Sequence, residues 1–164
     1  MKNQDHLPVF GVGPFYGIVV IATTAATVYG LVRGSFLSLA VSSSGLRILM
    51  FVAGLALLVL GGVVWARAAL GKGCIDKYIL RNELCTEGVY RLVRNPCYSG
   101  IMFACTGVLC LFSNLIVIPL FLLYWLAMTV LMKYTEEKWL LKQYGQAYAE
   151  YCQSVNRCIP WIKK

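Results

Sequence analysis

Arg94-Asn95-Pro96-Cys97-Tyr98-Ser99-Gly100 opens a pair of apolar stretches, and the adjacent carboxylates Glu136-Glu137 close it. Asn is a good helix cap and Pro fits the first helical position, so Asn95-Pro96 reads as a helix start. Free N–H groups and the positive dipole end at such a start can receive a carboxylate or phosphate, although a plain cap reads the same way. Glu136 or Glu137 could accept from ribose hydroxyls or bind an ammonium group. Neighbours on a helix point ~100° apart, so only one of the two is expected to aim inward. The pair also reads as acids in the first turn of a solvated helix. Arg91, Arg94, Lys133 and Arg157 are expected to converge near the same face, either as orientation charges or as holders of an anionic head group. No metal is expected, because the one histidine, His6, has no partner at ligand spacing and the seven cysteines contain no C-x-x-C.

The elements that must position these groups are apolar. The chain has 164 residues, is 59% hydrophobic and only 13% charged. A soluble core of this size could not hide so much apolar surface, so lipid is the expected solvent. One domain is expected over residues 1–164. Four segments approach the length needed to cross ~30 Å of hydrocarbon: Phe15 to Val32, Leu46 to Leu70, Tyr98 to Phe112, the shortest, and Leu115 to Met132. The first is read as a retained helix, being too long for a signal-peptide core. The net charge of +8 would suggest nucleic acid on a soluble protein, but here the basic residues flank spans, where they set orientation. With four spans, all fifteen Lys and Arg residues except Arg33 and Arg47 fall on one side. An integral, multi-pass protein follows, with both termini and the chemistry-bearing segments 71–97 and 133–164 expected at the cytoplasmic face. A disulfide framework is not expected on that reducing side.

Residues 1–14 read as a flexible lead whose glycines match no dinucleotide-binding fingerprint. Ala22, Ala26 and Gly30 on the first span, and Gly62 and Ala66 on the second, have the spacing that lets transmembrane helices approach closely. Residues 34–45 form a far-side loop without chemistry. Ser113-Asn114 reads as a tight turn that makes the last two spans antiparallel neighbours. From Thr135 the tail reads as one amphipathic helix, with Leu141, Tyr144, Tyr148, Tyr151 and Val155 on one face and Lys138, Lys142, Gln146 and Glu150 on another. It would lie at the membrane interface, and it suits a lid equally well.

The run Leu84-Cys85-Thr86-Glu87-Gly88-Val89-Tyr90-Arg91-Leu92-Val93-Arg94-Asn95-Pro96-Cys97-Tyr98-Ser99-Gly100, then Glu136-Glu137, then Tyr144-Gly145-Gln146-Ala147-Tyr148-Ala149-Glu150-Tyr151, then Ile159-Pro160, resembles the isoprenylcysteine carboxyl methyltransferase family and related phospholipid N-methyltransferases. The likeness covers roughly residues 70–162. It implies an all-α integral membrane enzyme that uses S-adenosylmethionine and draws a lipophilic substrate from the bilayer. By that resemblance Tyr90, Asn95, Pro96, Tyr98 and Gly100 line the cofactor site, Glu136 and Glu137 complete it, and Leu84 and Thr86 give backbone contacts near the adenosine. Asn95 stands where the family often has histidine, so no cationic form is available there.

An acceptor carboxylate is already ionised at pH 7 and needs no base, only a cation to position it. Lys133, Arg94 and Arg157 are the candidates for that catalytic role. The expected partners are a lipophilic small molecule or prenylated substrate and membrane lipid, with no nucleic acid. The preferred reaction is carboxyl methylation of an isoprenylcysteine-like acceptor. Phospholipid N-methylation, an NADPH-dependent sterol-reductase-like activity and a non-catalytic membrane protein are the alternatives.

Overall fold

The computed structural model describes residues 11–36, 39–71 and 83–160. Lys2, His6, Lys72, Cys74, Lys77, Arg81, Lys163 and Lys164, used in the charge and metal arguments, lie outside the described residues. Six α-helices follow in order: α1 Gly13–Val32, α2 Ser44–Ala69, α3 Pro96–Leu111, α4 Val117–Tyr134, α5 Glu136–Tyr144 and α6 Gln146–Ser154, with a 3₁₀ turn at Gly88–Arg91 between α2 and α3. The protein is an all-α membrane protein. α1, α2 and α4 are long and apolar enough to cross a bilayer, α4 in continuity with α5 to Tyr144. Their flanks expose Phe15, Ile18, Ile48, Leu49, Val59, Leu122 and Leu123, an outward apolar surface that suits acyl chains and not water.

α3 is different. Its 16 residues rise only ~24 Å at 1.5 Å per residue, short of the hydrocarbon thickness. It buries Ser99, Met102, Phe103, Thr106, Leu109 and Cys110. Its neighbours α1, α2 and α4 sheathe it, so it need not match the bilayer by itself.

The closest helix contact is between α2 and α3. A Cβ on Gly61 would lie 2.5 Å from the Ala104 nitrogen and 2.6 Å from the Gly100 carbonyl oxygen. One on Gly107 would lie 2.7 Å from the Gly54 oxygen and from the Leu58 nitrogen. Gly54 meets Gly107 and Gly61 meets Gly100, so the helices run antiparallel with backbone against backbone. This corrects the expected packing face: Gly62 has open space around it, and Ala22 and Ala26 on α1 are exposed. α1 instead packs through Tyr16, Val20 and Thr24. Tyr124 of α4 joins it, its hydroxyl 3.0 Å from both Thr23 Oγ1 and Thr24 Oγ1, while the Tyr16 hydroxyl donates to the Tyr124 carbonyl at 3.2 Å.

Both ends of the bundle are tied. At one end the Ser113–Asn114 turn forms as expected, with Ser113 at φ +48°. Asn114 Nδ2 donates to the Phe36 carbonyl at 2.9 Å, and the Val41 N–H donates to the Ser113 carbonyl at 3.0 Å, so the far-side loop is bound to this turn. At the other end the single amphipathic tail resolves into two helices. Gly145 breaks it at φ +54°, ψ −126°, a conformation glycine adopts without a Cβ penalty. The break lets Tyr148, Tyr151 and Val155 bury a small core of their own against Leu84, Leu140, Tyr144 and Cys152.

Candidate functional site

At that second end α4 stops at Thr135, whose backbone leaves the helical region, and α5 restarts on its carbonyl. The restart presents Glu136 and Glu137 about a quarter-turn apart, and the structure uses both. Glu136 Oε1 accepts from the Tyr98 hydroxyl at 2.8 Å and from the Val12 N–H at 3.1 Å. Glu137 turns to the other wall, where Arg157 grips it bidentately, Nε at 2.6 Å and Nη2 at 2.8 Å. Arg94 Nη1 adds a contact at 3.2 Å. The expectation that only one carboxylate aims inward fails because two different walls meet at this corner. The Glu137 bond also pushes the Arg157 guanidinium above its usual range.

The segment after α6 is strapped to the loop before α3. Val93 and Asn156 form a parallel bridge, and the Arg94 N–H donates to the Asn156 carbonyl at 2.8 Å. Asn95 Nδ2 donates to the Arg157 carbonyl at 3.1 Å, and Ser99 Oγ to the Cys158 carbonyl at 2.5 Å. The Tyr151 hydroxyl donates to the Tyr90 carbonyl at 2.6 Å. The Asn95 side chain is therefore spent on the strap and makes no cap bond at the start of α3, contrary to the sequence expectation. Through Arg157 it is linked to Glu137, so the connector before α3 and the acidic exit of α4 share one end of the bundle.

Arg94 is the centre of this corner. Its side chain is only 8% exposed. It touches Glu137 Oε1 and the Cys152 thiol, yet its buried Nε–H has no partner among the described residues. Two guanidiniums share one carboxylate here, a local excess of positive charge. Beside them opens a cavity of about 490 Å³ lined by Arg94, Trp125, Thr129, Asn156, Arg157, Cys158 and Ile159, within the size range of small-ligand sites. Trp125 and Thr129 come from α4, so the lining is part apolar and part cationic. Burial raises the Cys158 thiol above its usual range, which keeps it a thiol and not a nucleophile. The lining suits an amphipathic anion: two guanidiniums and an indole.

The other expected site residues divide. Tyr98, Glu136, Glu137, Arg94 and Arg157 come together. Pro96 is buried at the first position of α3. Gly100 faces α2, where its Cβ would meet the Gly61 oxygen and Trp65 at 2.8 Å. Leu84 packs on the tail core and Thr86 is exposed. Lys133 is exposed, its ammonium 5.6 Å from the Tyr134 ring centroid, and among the described residues it makes no ion pair. Cys85 is disulfide-bonded, against the expectation of no disulfide framework, while Cys97, Cys105, Cys110, Cys152 and Cys158 are free. Among the described residues no group of three His, Cys, Asp or Glu could hold a metal. Sequence reasoning missed Trp125, Thr129 and Asn156, which carry no motif, and Val12, which acts through its backbone.

A short buried helix sheathed by longer ones, with a two-arginine, two-glutamate corner at one end, defines a helical membrane protein built around a polar pocket. The chain belongs to the phospholipid methyltransferase family, whose model matches residues 49–147. It is similar to a probable protein-S-isoprenylcysteine O-methyltransferase of Oryza sativa subsp. indica, 31% identical over 117 residues, covering 67% of this chain and 61% of the relative. It is 28% identical to protein-S-isoprenylcysteine O-methyltransferase B of Arabidopsis thaliana, covering 66% of this chain and 58% of the relative. It is 34% identical to a protein-S-isoprenylcysteine O-methyltransferase of Tribolium castaneum, covering 67% of this chain and 41% of the relative. The chain thus spans less than two thirds of the length of each of these relatives. No solved structure matches it.

Proposed function

We propose that the chain is an S-adenosylmethionine-dependent methyltransferase that acts at the cytoplasmic face on a lipophilic carboxylate, of the isoprenylcysteine kind named in its relatives. The observation that carries this reading is that Arg94 and Arg157 line the same cavity as Trp125. An anionic head on an apolar body suits that lining, because a carboxylate pairs with guanidinium groups and a prenyl chain covers the indole.

When bound, S-adenosylmethionine supplies a sulfonium-activated methyl group. Glu136, with Tyr98 and Tyr90 beside it, would hold it, the carboxylate accepting from ribose hydroxyls or the amino group. Arg94 and Arg157 would position the acceptor carboxylate, which is ionised at neutral pH and requires no base. Trp125 and Ile159 would keep water from the cavity, and alignment in a dry site is what the protein contributes to a displacement. Lys133 lies outside this arrangement, so the positioning role rests with the two arginines.

Purified protein in lipid nanodiscs with radiolabelled S-adenosylmethionine tests the reading against prenylcysteines and aminophospholipids. Base-labile label on the prenylcysteines supports it. Label on the amines alone removes the carboxylate acceptor, and no label on either class removes the methyltransferase.

A further inference from the structure

The turn before α1 is built around Glu136. Gly11, Val12 and Gly13 lie against the start of α5 although more than 120 residues separate them in sequence. The Val12 N–H donates to Glu136 Oε1, and the Tyr98 hydroxyl donates to the same oxygen. There is no room here for larger residues. A Cβ on Gly11, which sits at φ +38°, would overlap the Glu136 carboxylate, and a Cβ on Gly13 would overlap the end of the Tyr98 ring. Tyr98 is fixed on its other side by an edge-to-face contact with Tyr16 of α1, ring centroids 6.0 Å apart. Three separate contacts, one each from the turn, from α1 and from α3, thus converge on one carboxylate oxygen or on the ring that holds it. The Val12 and Tyr98 bonds both fall on Oε1, and the Gly13 backbone adds a further hydrogen bond to the same carboxylate.

We propose that the Gly11–Gly13 turn is a positioning element for the cofactor: its backbone amide and Tyr98 saturate Glu136 Oε1 and so fix the direction in which Oε2 meets a ligand donor. This rests on the methyltransferase reading, and it extends the site to a segment that the family match, which begins at residue 49, does not reach. A carboxylate free to rotate about its last bonds must be ordered when a ligand binds. One already held by two donors has lost that freedom beforehand, and pre-organisation of this kind is expressed as affinity. Val12 acts here through its amide and not through its side chain, which only packs on the edge of the main core.

The test is calorimetric titration of the full chain in nanodiscs with S-adenosylhomocysteine, with the thermal transition recorded for every variant. Val12→Pro deletes the amide donor. Val12→Ala keeps the amide and trims the side chain. Each is also made in a Glu136→Gln background. Val12→Pro is expected to weaken binding about tenfold, the scale of one hydrogen bond to a charged group. Val12→Ala should bind like wild type even where its thermal transition drops. In the Glu136→Gln background Val12→Pro should change affinity less than twofold, because the amide then has no carboxylate to hold. Equal affinity of Val12→Pro and wild type overturns the proposal and leaves the methyltransferase reading standing. So does the same loss in both backgrounds, which would mark a general disturbance of α1. A wild-type chain that binds no S-adenosylhomocysteine overturns both.

Discussion

Replacing Glu137 by glutamine removes the negative charge that two guanidiniums share. Three contacts change at once: Arg157 Nε at 2.6 Å, Arg157 Nη2 at 2.8 Å and Arg94 Nη1 at 3.2 Å. The amide keeps one acceptor and turns an NH₂ toward a cation. Arg157 is 24% exposed and can regain water, so its share is discounted. Arg94 is 8% exposed and cannot. Its Nε–H is already unpartnered, so the variant strands most of a buried guanidinium. Breaking a buried pair from one side costs about 3–5 kcal/mol. With Arg157 partly solvated, about 2–4 kcal/mol is expected. That corresponds to a thermal transition lower by roughly 5–15 °C for a chain of this size.

The assay is reversible unfolding in mixed micelles, run as a double-mutant cycle with Arg94→Met. If the cost arises from the stranded cation, Glu137→Gln/Arg94→Met should be more stable than Glu137→Gln alone, because the charge that lost its partner is gone too. Strict additivity of the two single losses, or a Glu137→Gln loss under about 0.5 kcal/mol, would refute the picture of a shared buried carboxylate.

Gly61→Ala should separate α2 from α3, since its methyl would enter the Gly100 and Ala104 backbone. Gly62→Ala, with open space around it, should be neutral or stabilising by up to about 1 kcal/mol through helix propensity; equal behaviour of the two alanines in the same unfolding assay would refute the backbone contact. Tyr151→Phe deletes the bond to the Tyr90 carbonyl and should cost about 1 kcal/mol, with faster amide exchange in residues 83–93. Arg94→Lys loses the planar fork and should lower kcat/KM at least tenfold for a carboxylate acceptor, while S-adenosylhomocysteine affinity, read by calorimetry, moves less.

Much of this fold was legible because lipid imposes a strong rule. Apolar runs near 20 residues cannot stay in water, and they cannot leave backbone groups unpaired in a bilayer. The Ser113-Asn114 turn followed from that rule. The packing face did not, since the spacing of Gly62 and Ala66 is as regular as that of Gly54 and Gly61. Spacing alone says which residues share a stripe, and only the partner helix decides which stripe is used. Gly100 and Gly107 on α3 make that decision here. The tail misled for a related reason: its tyrosines keep helical period across Gly145, but period survives a break that merely re-aims the second segment.

The two glutamates carry the same lesson into the site. Read along one helix, adjacent carboxylates compete for a single inward direction. In the folded chain they stand at a corner, because α4 has ended and α5 has not yet turned away, and each faces a different neighbour. Glu136 meets a backbone amide and a tyrosine, both neutral donors, whereas Glu137 meets two guanidiniums. A neutral cradle leaves Glu136 a carboxyl oxygen to offer a donor such as a hydroxyl or an ammonium. Glu137 has spent its charge on Arg94 and Arg157, and what emerges on that side is net positive and suited to an anion. One dipeptide thus separates a wall for a cationic or hydroxylic ligand from a wall for a carboxylate. In the methyl transfer proposed above, the Glu136 wall would serve the cofactor and the arginine wall the acceptor carboxylate.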